Sequence, residues 1–207
     1  MDPQPADADS AAHEHGALVI DASQVVGDDV LRDMAHEFTS GGIDIRVSRR
    51  EEGPWASLSL LIPTAVVLFL TKPFLEAILT KAGEDAYPHL KKALLRVIRR
   101  GASIRLIVVG KQPAASAARY SEVISFYSTL NDGRVVKFLV RKDASDEEYH
   151  AGIEAMLELL SRHFARERAN ELQRLSLAAR NPRWTLLLEF DAQNRSWIPV
   201  DPFPGRG

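Results

Sequence analysis

The chain has 207 residues, of which 45% are hydrophobic and 26% charged, and its formal net charge is −2. These values are ordinary for a globular protein and exclude collagen-like or wholly disordered chains, and the length predicts one domain. Cysteine is absent from the sequence, which excludes disulfide frameworks, thiolate metal ligands and cysteine nucleophiles and favours a reducing cytoplasm.

The N-terminal segment is acidic and polar. Residues 1–15 contain four acidic residues and no Lys or Arg, and they lack the basic start and the apolar stretch of a secretory signal. We therefore predict a disordered acidic tail over residues 1–15, a single α+β domain over residues 16–201 and a short C-terminal tail over residues 202–207.

The domain opens with a β-α-β pattern. Residues 17–20 form a short apolar run that is typical of a strand, and residues 28–38 have the apolar spacing of an amphipathic helix. Residues 43–48 then alternate between apolar and polar side chains, which predicts a strand with one buried face.

A long uncharged stretch follows at residues 53–71. Its length approaches the roughly 20 apolar residues that a membrane-spanning helix needs. Residues 56–62 alternate like a strand, however, and this pattern suits a strand that pairs with the preceding one through a turn at residues 51–54. Pro63 fits the first turn of a helix, and Pro73 would interrupt any long helix. We predict a strand followed by a buried helix, and the alternative is that residues 55–70 insert into a membrane surface.

The centre of the chain predicts two helical segments and a strand. Apolar residues recur at helical spacing over residues 73–82 and again over residues 85–100, where Gly101 is a stop signal. Residues 103–109 include an unbroken apolar run, which predicts a strand in the middle of a sheet.

The second half of the chain predicts two hairpins around a long helix. Residues 123–130 and 135–140 flank an Asp-Gly turn, and residues 184–190 and 196–200 form a terminal hairpin. Between the hairpins, Ser145 and Glu148 have the spacing of a capping box, which begins a helix that extends to Asn181. Because strands and helices come in mixed order, we predict an α+β fold with a mixed or mainly antiparallel sheet and helices packed on one face.

The charge distribution suggests an anion-binding surface. Between residues 86 and 121 there are eight basic residues and no acidic residue. Clustered cations attract phosphates and acidic surfaces, although nucleic acid is the less favoured partner because no recognition motif accompanies them. The alternative is a solvated helix face whose charge is balanced by acidic residues such as Glu147, Glu148 or Glu158. The candidate anion-binding residues are Lys91, Lys92, Arg96, Arg99, Arg100 and Arg105.

Asp21 is the candidate residue for metal chemistry. The segment Val-Ile-Asp-Ala-Ser at residues 19–23 resembles the opening of PIN-type nucleases, and this resemblance implies a metal-dependent hydrolase or nuclease that uses Asp21. The alternative is that Asp21 is a turn or cap residue. The six histidines lack the usual metal-ligand signatures, and there is no glycine-rich phosphate loop or nucleophile elbow, so the sequence predicts no cofactor, no metal site and no catalytic set.

These observations favour a non-catalytic interaction or regulatory module in the cytoplasm. We expect a protein partner or self-association, with the predicted helix at residues 145–181 as the contact element, or an anionic partner at the basic cluster. A first alternative is peripheral membrane association, in which residues 55–70 and the basic residues at 91–105 together contact acidic lipid. The second alternative is the hydrolase that uses Asp21.

Overall fold

The computed structural model describes residues 17–50, 64–81, 86–104, 119–165, 171–178 and 185–201. Within these ranges the chain forms seven strands and five helices. The strands are β1 (Leu18–Ser23), β2 (Ile45–Arg50), β3 (Val66–Phe69), β4 (Tyr120–Thr129), β5 (Val135–Arg141), β6 (Thr185–Asp191) and β7 (Ser196–Pro199). The helices are α1 (Asp28–Thr39), α2 (Lys72–Lys81), α3 (Ala86–Ser103), α4 (Asp146–Phe164) and α5 (Glu171–Ala178).

All seven strands join one sheet in the order β2-β1-β3-β4-β5-β6-β7. Parallel and antiparallel pairing alternate across it, because β1 and β2, β3 and β4, and β5 and β6 are parallel while the other neighbours are antiparallel. The fold is therefore α+β with a mixed sheet. The opening β-α-β unit, the β4-β5 hairpin and the terminal β6-β7 hairpin confirm the sequence predictions.

Two local predictions are confirmed in atomic detail. The capping box begins α4, since the Ser145 side chain accepts a hydrogen bond from the Glu148 amide at 3.2 Å and the Ser145 amide donates to the Glu148 carboxylate at 2.6 Å. The turn of the β4-β5 hairpin contains Gly133 at φ 81°, a conformation that glycine adopts without the steric cost of a Cβ atom.

The predicted helix after Pro63 is wrong at residues 66–69, which form the central strand β3. Val66, Val67 and Leu68 are all buried because β3 lies between β1 and β4. A strand that is covered on both faces has a continuous apolar run instead of an alternating one, so periodicity does not distinguish it from a buried helix. The predicted strand at residues 56–62 lies outside the described residues.

Two boundaries and the burial of one strand also differ from the predictions. The long helix ends at Phe164, before a charged run in the sequence, and α5 is a separate helix whose Leu172 is fully buried, so its apolar stripe belongs to the core. Ser103 belongs to α3 and not to a strand, while residues 105–109 lie outside the described residues. Val47 in β2 is 44% exposed, because β2 is the end strand of the described sheet and its predicted buried face is only partly covered.

The five helices pack on one face of the sheet, as predicted. Their buried apolar side chains join a single cluster with strand residues such as Ile20, Leu68, Phe126, Phe138 and Leu188, and we call this face the first face. Helix α3 contacts both α1 and α4. No helix within the described ranges combines the length and the apolar character that crossing a membrane requires.

Candidate functional site

The second face of the sheet carries buried polar side chains at its centre. Side chains alternate between the faces of a strand, so Ser125 and Tyr127 in β4, Lys137 in β5 and Glu189 in β6 lie on the face opposite the helices. Each of them is less than 9% exposed. Burying polar groups costs free energy unless they are hydrogen-bonded, and these groups have partners: the Ser125 and Thr64 hydroxyls lie 2.7 Å apart, and the Glu189 carboxylate accepts from Tyr120 and Arg119. This concentration of polar groups is the candidate site.

Lys137 occupies the middle of this face and is fully buried. The strand register places Lys137 directly opposite Tyr127 in β4 and opposite Leu187 in β6. Its amino nitrogen lies 5.1 Å from the centre of the Tyr127 ring, within the range of a cation-π contact. The lysine therefore packs against an aromatic ring in the interior of the protein.

The surroundings of Lys137 change its acid-base behaviour. Burial, with a smaller contribution from the positive charge of Arg50, lowers the pKa of Lys137 to about 7. Burial also raises the pKa of Tyr127 above the ordinary value for tyrosine. Lys137 consequently changes charge close to neutral pH, which ordinary lysines do not do.

Asp21 lies inside β1, not at the end of a strand or in a turn, and its side chain connects two strands. The Asp21 carboxylate accepts a hydrogen bond from the Ser48 hydroxyl at 3.0 Å and forms an ion pair with Arg50 at 3.2 Å. Arg50 also donates to the Thr64 carbonyl at 2.9 Å. Asp21 therefore holds β2 against β1. Among the described residues there is no group of three His, Asp or Glu side chains placed to hold a metal ion.

The basic residues of α3 form ion pairs with both neighbouring helices. Lys91 and Arg99 reach α4, whereas Arg96 and Arg100 reach α1. The four nitrogen-to-oxygen distances are 2.8 Å for Lys91 and Glu154, 2.6 Å for Arg99 and Asp146, 3.0 Å for Arg96 and Glu37, and 3.0 Å for Arg100 and Asp33.

These ion pairs balance much of the charge of the basic cluster. The acidic partners differ from those suggested by the sequence, since Glu148 caps α4 and Glu158 pairs with Arg162. Lys92 is exposed and forms no ion pair with the residues that the structure describes, and Arg105 lies outside them. Anion binding by this cluster remains a prediction, and the paired geometry gives it little support.

A charge swap measures one of these pairs. We expect Arg96→Glu to lower the free energy of unfolding by about 1 kcal/mol, because it places a second carboxylate beside Glu37. The double variant Arg96→Glu/Glu37→Arg should recover most of this loss in urea denaturation. A double variant that is no more stable than Arg96→Glu alone would show that the pair contributes nothing.

One feature of the sequence indicates that Lys137 is unusual, although neither the alternation of side chains nor a known motif points to it. Lys137 is the one charged residue in the run Val-Val-Lys-Phe-Leu-Val at residues 135–140. A charge inside a run that is apolar on both sides indicates either an edge strand or a buried polar site. The sequence gives no signal of this kind for Arg50 or Tyr127, because only the pairing of the strands in the sheet brings these two residues near Lys137.

Comparisons with known proteins give no family. No protein-family model matches the chain, and neither a curated protein nor a solved structure is significantly similar to it.

Proposed function

We propose that the protein is a non-catalytic interaction module that binds an acidic, extended segment of a partner protein along β2. The observation that carries this proposal is the position of β2 at one end of the sheet formed by the described residues, with Val47 exposed to 44%. An end strand presents backbone donors and acceptors that can pair with another extended chain. The predicted contact at residues 145–181 has less support, because the apolar stripe of α4 and α5 belongs to the core.

Exposed apolar side chains concentrate near β2. Three large apolar residues of the described part are exposed, namely Val25, Val47 and Ile198. Val25 lies in the loop after β1, next to Val26, whose carbonyl accepts a hydrogen bond from Arg49 in β2 at 2.5 Å. Val47 thus lies in β2 and Val25 lies in the loop that Arg49 contacts, whereas Ile198 lies in β7 at the opposite end of the described sheet.

The charge of β2 favours an acidic partner. The strand contains Arg46, Arg49 and Arg50 and no acidic residue. Two of these arginines are engaged within the chain, since Arg49 pairs with Asp28 and Arg50 pairs with Asp21. Opposite charges on neighbouring strands stabilise pairing, and like charges oppose it.

A peptide-binding experiment tests the proposal. We expect an alternating Glu-Val peptide to bind in fluorescence anisotropy more tightly than an alternating Lys-Val peptide, and we expect added salt to weaken that binding. Val47→Glu should weaken the binding by about tenfold, because it removes the apolar contact and repels the peptide.

Ile198→Glu is the matched control, since it places the same charge on the other end strand. Equal affinity of Val47→Glu and the unaltered chain would contradict the proposal. A loss of binding confined to Ile198→Glu would place the contact at β7 instead.

The two alternatives have weaker support. The described part of the apolar stretch is β3 and its flanks, where Ala65, Val66 and Leu70 are buried, so a lipid contact would have to use other residues. Liposome flotation tests that alternative. For the hydrolase, Asp21 is already engaged by Ser48 and Arg50, and divalent ions that raise the melting temperature would favour it.

A further inference from the structure

A cavity on the first face of the sheet lies away from β2. It lies between α3, α4 and the sheet and has a volume of about 40 Å³. Ile98 of α3, Met156 of α4 and the aromatic side chains of Phe126, Phe190 and Trp197 are among the residues that line it. Nearly all of the surface inside it is apolar, and apolar cavities stay dry and accept apolar groups.

The walls of this cavity are held in place by close packing. The backbone of Gly152 in α4 approaches the Phe190 ring so closely that an added Cβ atom would lie 3.3 Å from it. The Trp197 indole N–H donates a hydrogen bond to the Gly152 carbonyl at 3.2 Å. The one polar atom of the Trp197 side chain is thereby satisfied, and the ring can contact a ligand without leaving that donor unpaired.

The rim of the cavity carries charges of both signs. Arg141 at the end of β5 and Glu148 in the first turn of α4 lie there with Tyr149, whose hydroxyl donates to the Arg141 carbonyl at 2.7 Å. Arg141 already pairs with Asp143 at 2.7 Å, and the Glu148 carboxylate already accepts a hydrogen bond from the Ser145 amide at 2.6 Å. A charged ligand head would have to compete with these partners, whereas an uncharged head avoids that competition and the cost of removing a charge from water.

We propose that this cavity binds the short apolar end of a small uncharged molecule, such as an alcohol or an ester. The small volume sets the size of the ligand: an apolar cavity of roughly 150 Å³ holds benzene, so a cavity of about 40 Å³ holds an apolar group of only one or two carbons. The site is separate from the proposed peptide site, so Val47→Glu leaves it intact.

Titration with ethanol, propionate and ethylamine tests the proposal. The reporter is the NMR signal of the Trp197 indole N–H, which is identified by its loss in Trp197→Phe. We expect ethanol to shift this signal in a saturable manner, and the two charged analogues to bind about tenfold more weakly. Tighter binding of either charged analogue, or no saturable shift with ethanol, would overturn the proposal.

Two variants connect the signal to the cavity. Ala144→Trp should abolish the shift by blocking the rim, while Ala102→Trp, on an exposed turn of α3, should leave it unchanged. Ile98→Phe fills the cavity from the side of α3 and should abolish the shift independently of the rim variant. A shift that persists in a folded Ala144→Trp protein would overturn the assignment.

Discussion

Replacing Lys137 with Met will flatten the pH dependence of stability above neutral pH. The folded-state pKa of Lys137 is about 7, against an ordinary value of 10.5. Between these two values the unfolded chain holds a proton on this group that the folded chain lacks. Stability therefore rises with pH across this window, by at most about 1.4 kcal/mol per pH unit, and the gain disappears as the pH falls toward 7.

The measurement is urea denaturation at pH 7 and pH 9, below the range in which tyrosines titrate. From Lys137 alone we expect the free energy of unfolding of the unaltered protein to rise by about 2–3 kcal/mol between the two pH values. The Lys137→Met variant should not show this rise. Lys92→Met is the control, because Lys92 is exposed and should retain the full rise. Parallel profiles for the unaltered protein and Lys137→Met would refute the buried-lysine explanation.

Removing the Trp197 side chain will be among the most destabilising single changes in the described core. Trp197 is 7% exposed and lies edge-on to Phe138, with ring centres 4.9 Å apart, and close to Phe190 at 5.5 Å. Trp197→Ala should lower the free energy of unfolding by about 3–5 kcal/mol, because it leaves a large cavity among these rings. Trp197→Phe keeps an aromatic ring and should cost less, about 1–2 kcal/mol, mainly through the lost hydrogen bond to Gly152.

The neighbouring residue provides the control for this prediction. Ile198 is 41% exposed, so Ile198→Ala should change stability by less than about 0.5 kcal/mol. Denaturation curves for the three variants give the comparison directly. Similar losses for Trp197→Ala and Ile198→Ala would mean that the aromatic cluster contributes little to the core.

Local rules predicted the parts of this fold that depend on a few neighbouring residues. The capping box of Ser145 and Glu148 and the glycine turn at Gly133 each depend on contacts within four residues, and both occur in the structure. The β4-β5 hairpin was predicted for the same reason, since an Asp-Gly pair between strand-like runs sets its own geometry. Periodicity also located α1 and α3 to within three residues at either end.

Longer-range features could not be predicted in this way. Strand β3 was mistaken for a helix because its burial comes from β1 and β4, which lie about 45 and 55 residues away along the chain. The ion pairs of α3 join residues that are 47 to 67 positions apart, as the numbering of the pairs shows. A sequence shows a block of one charge, but only packing shows which acidic residues face it.

Ion pairs with helices on both sides fix the rotation of α3 about its own axis. Lys91 and Arg99 are drawn toward α4 while Arg96 and Arg100 are drawn toward α1. Turning the helix by a single residue, about 100° around its axis, would carry all four cations away from their partners together. Each exposed ion pair contributes little energy by itself. Because the pairs act from opposite sides, together they favour one rotation of α3 about its axis over the others that its apolar stripe would permit.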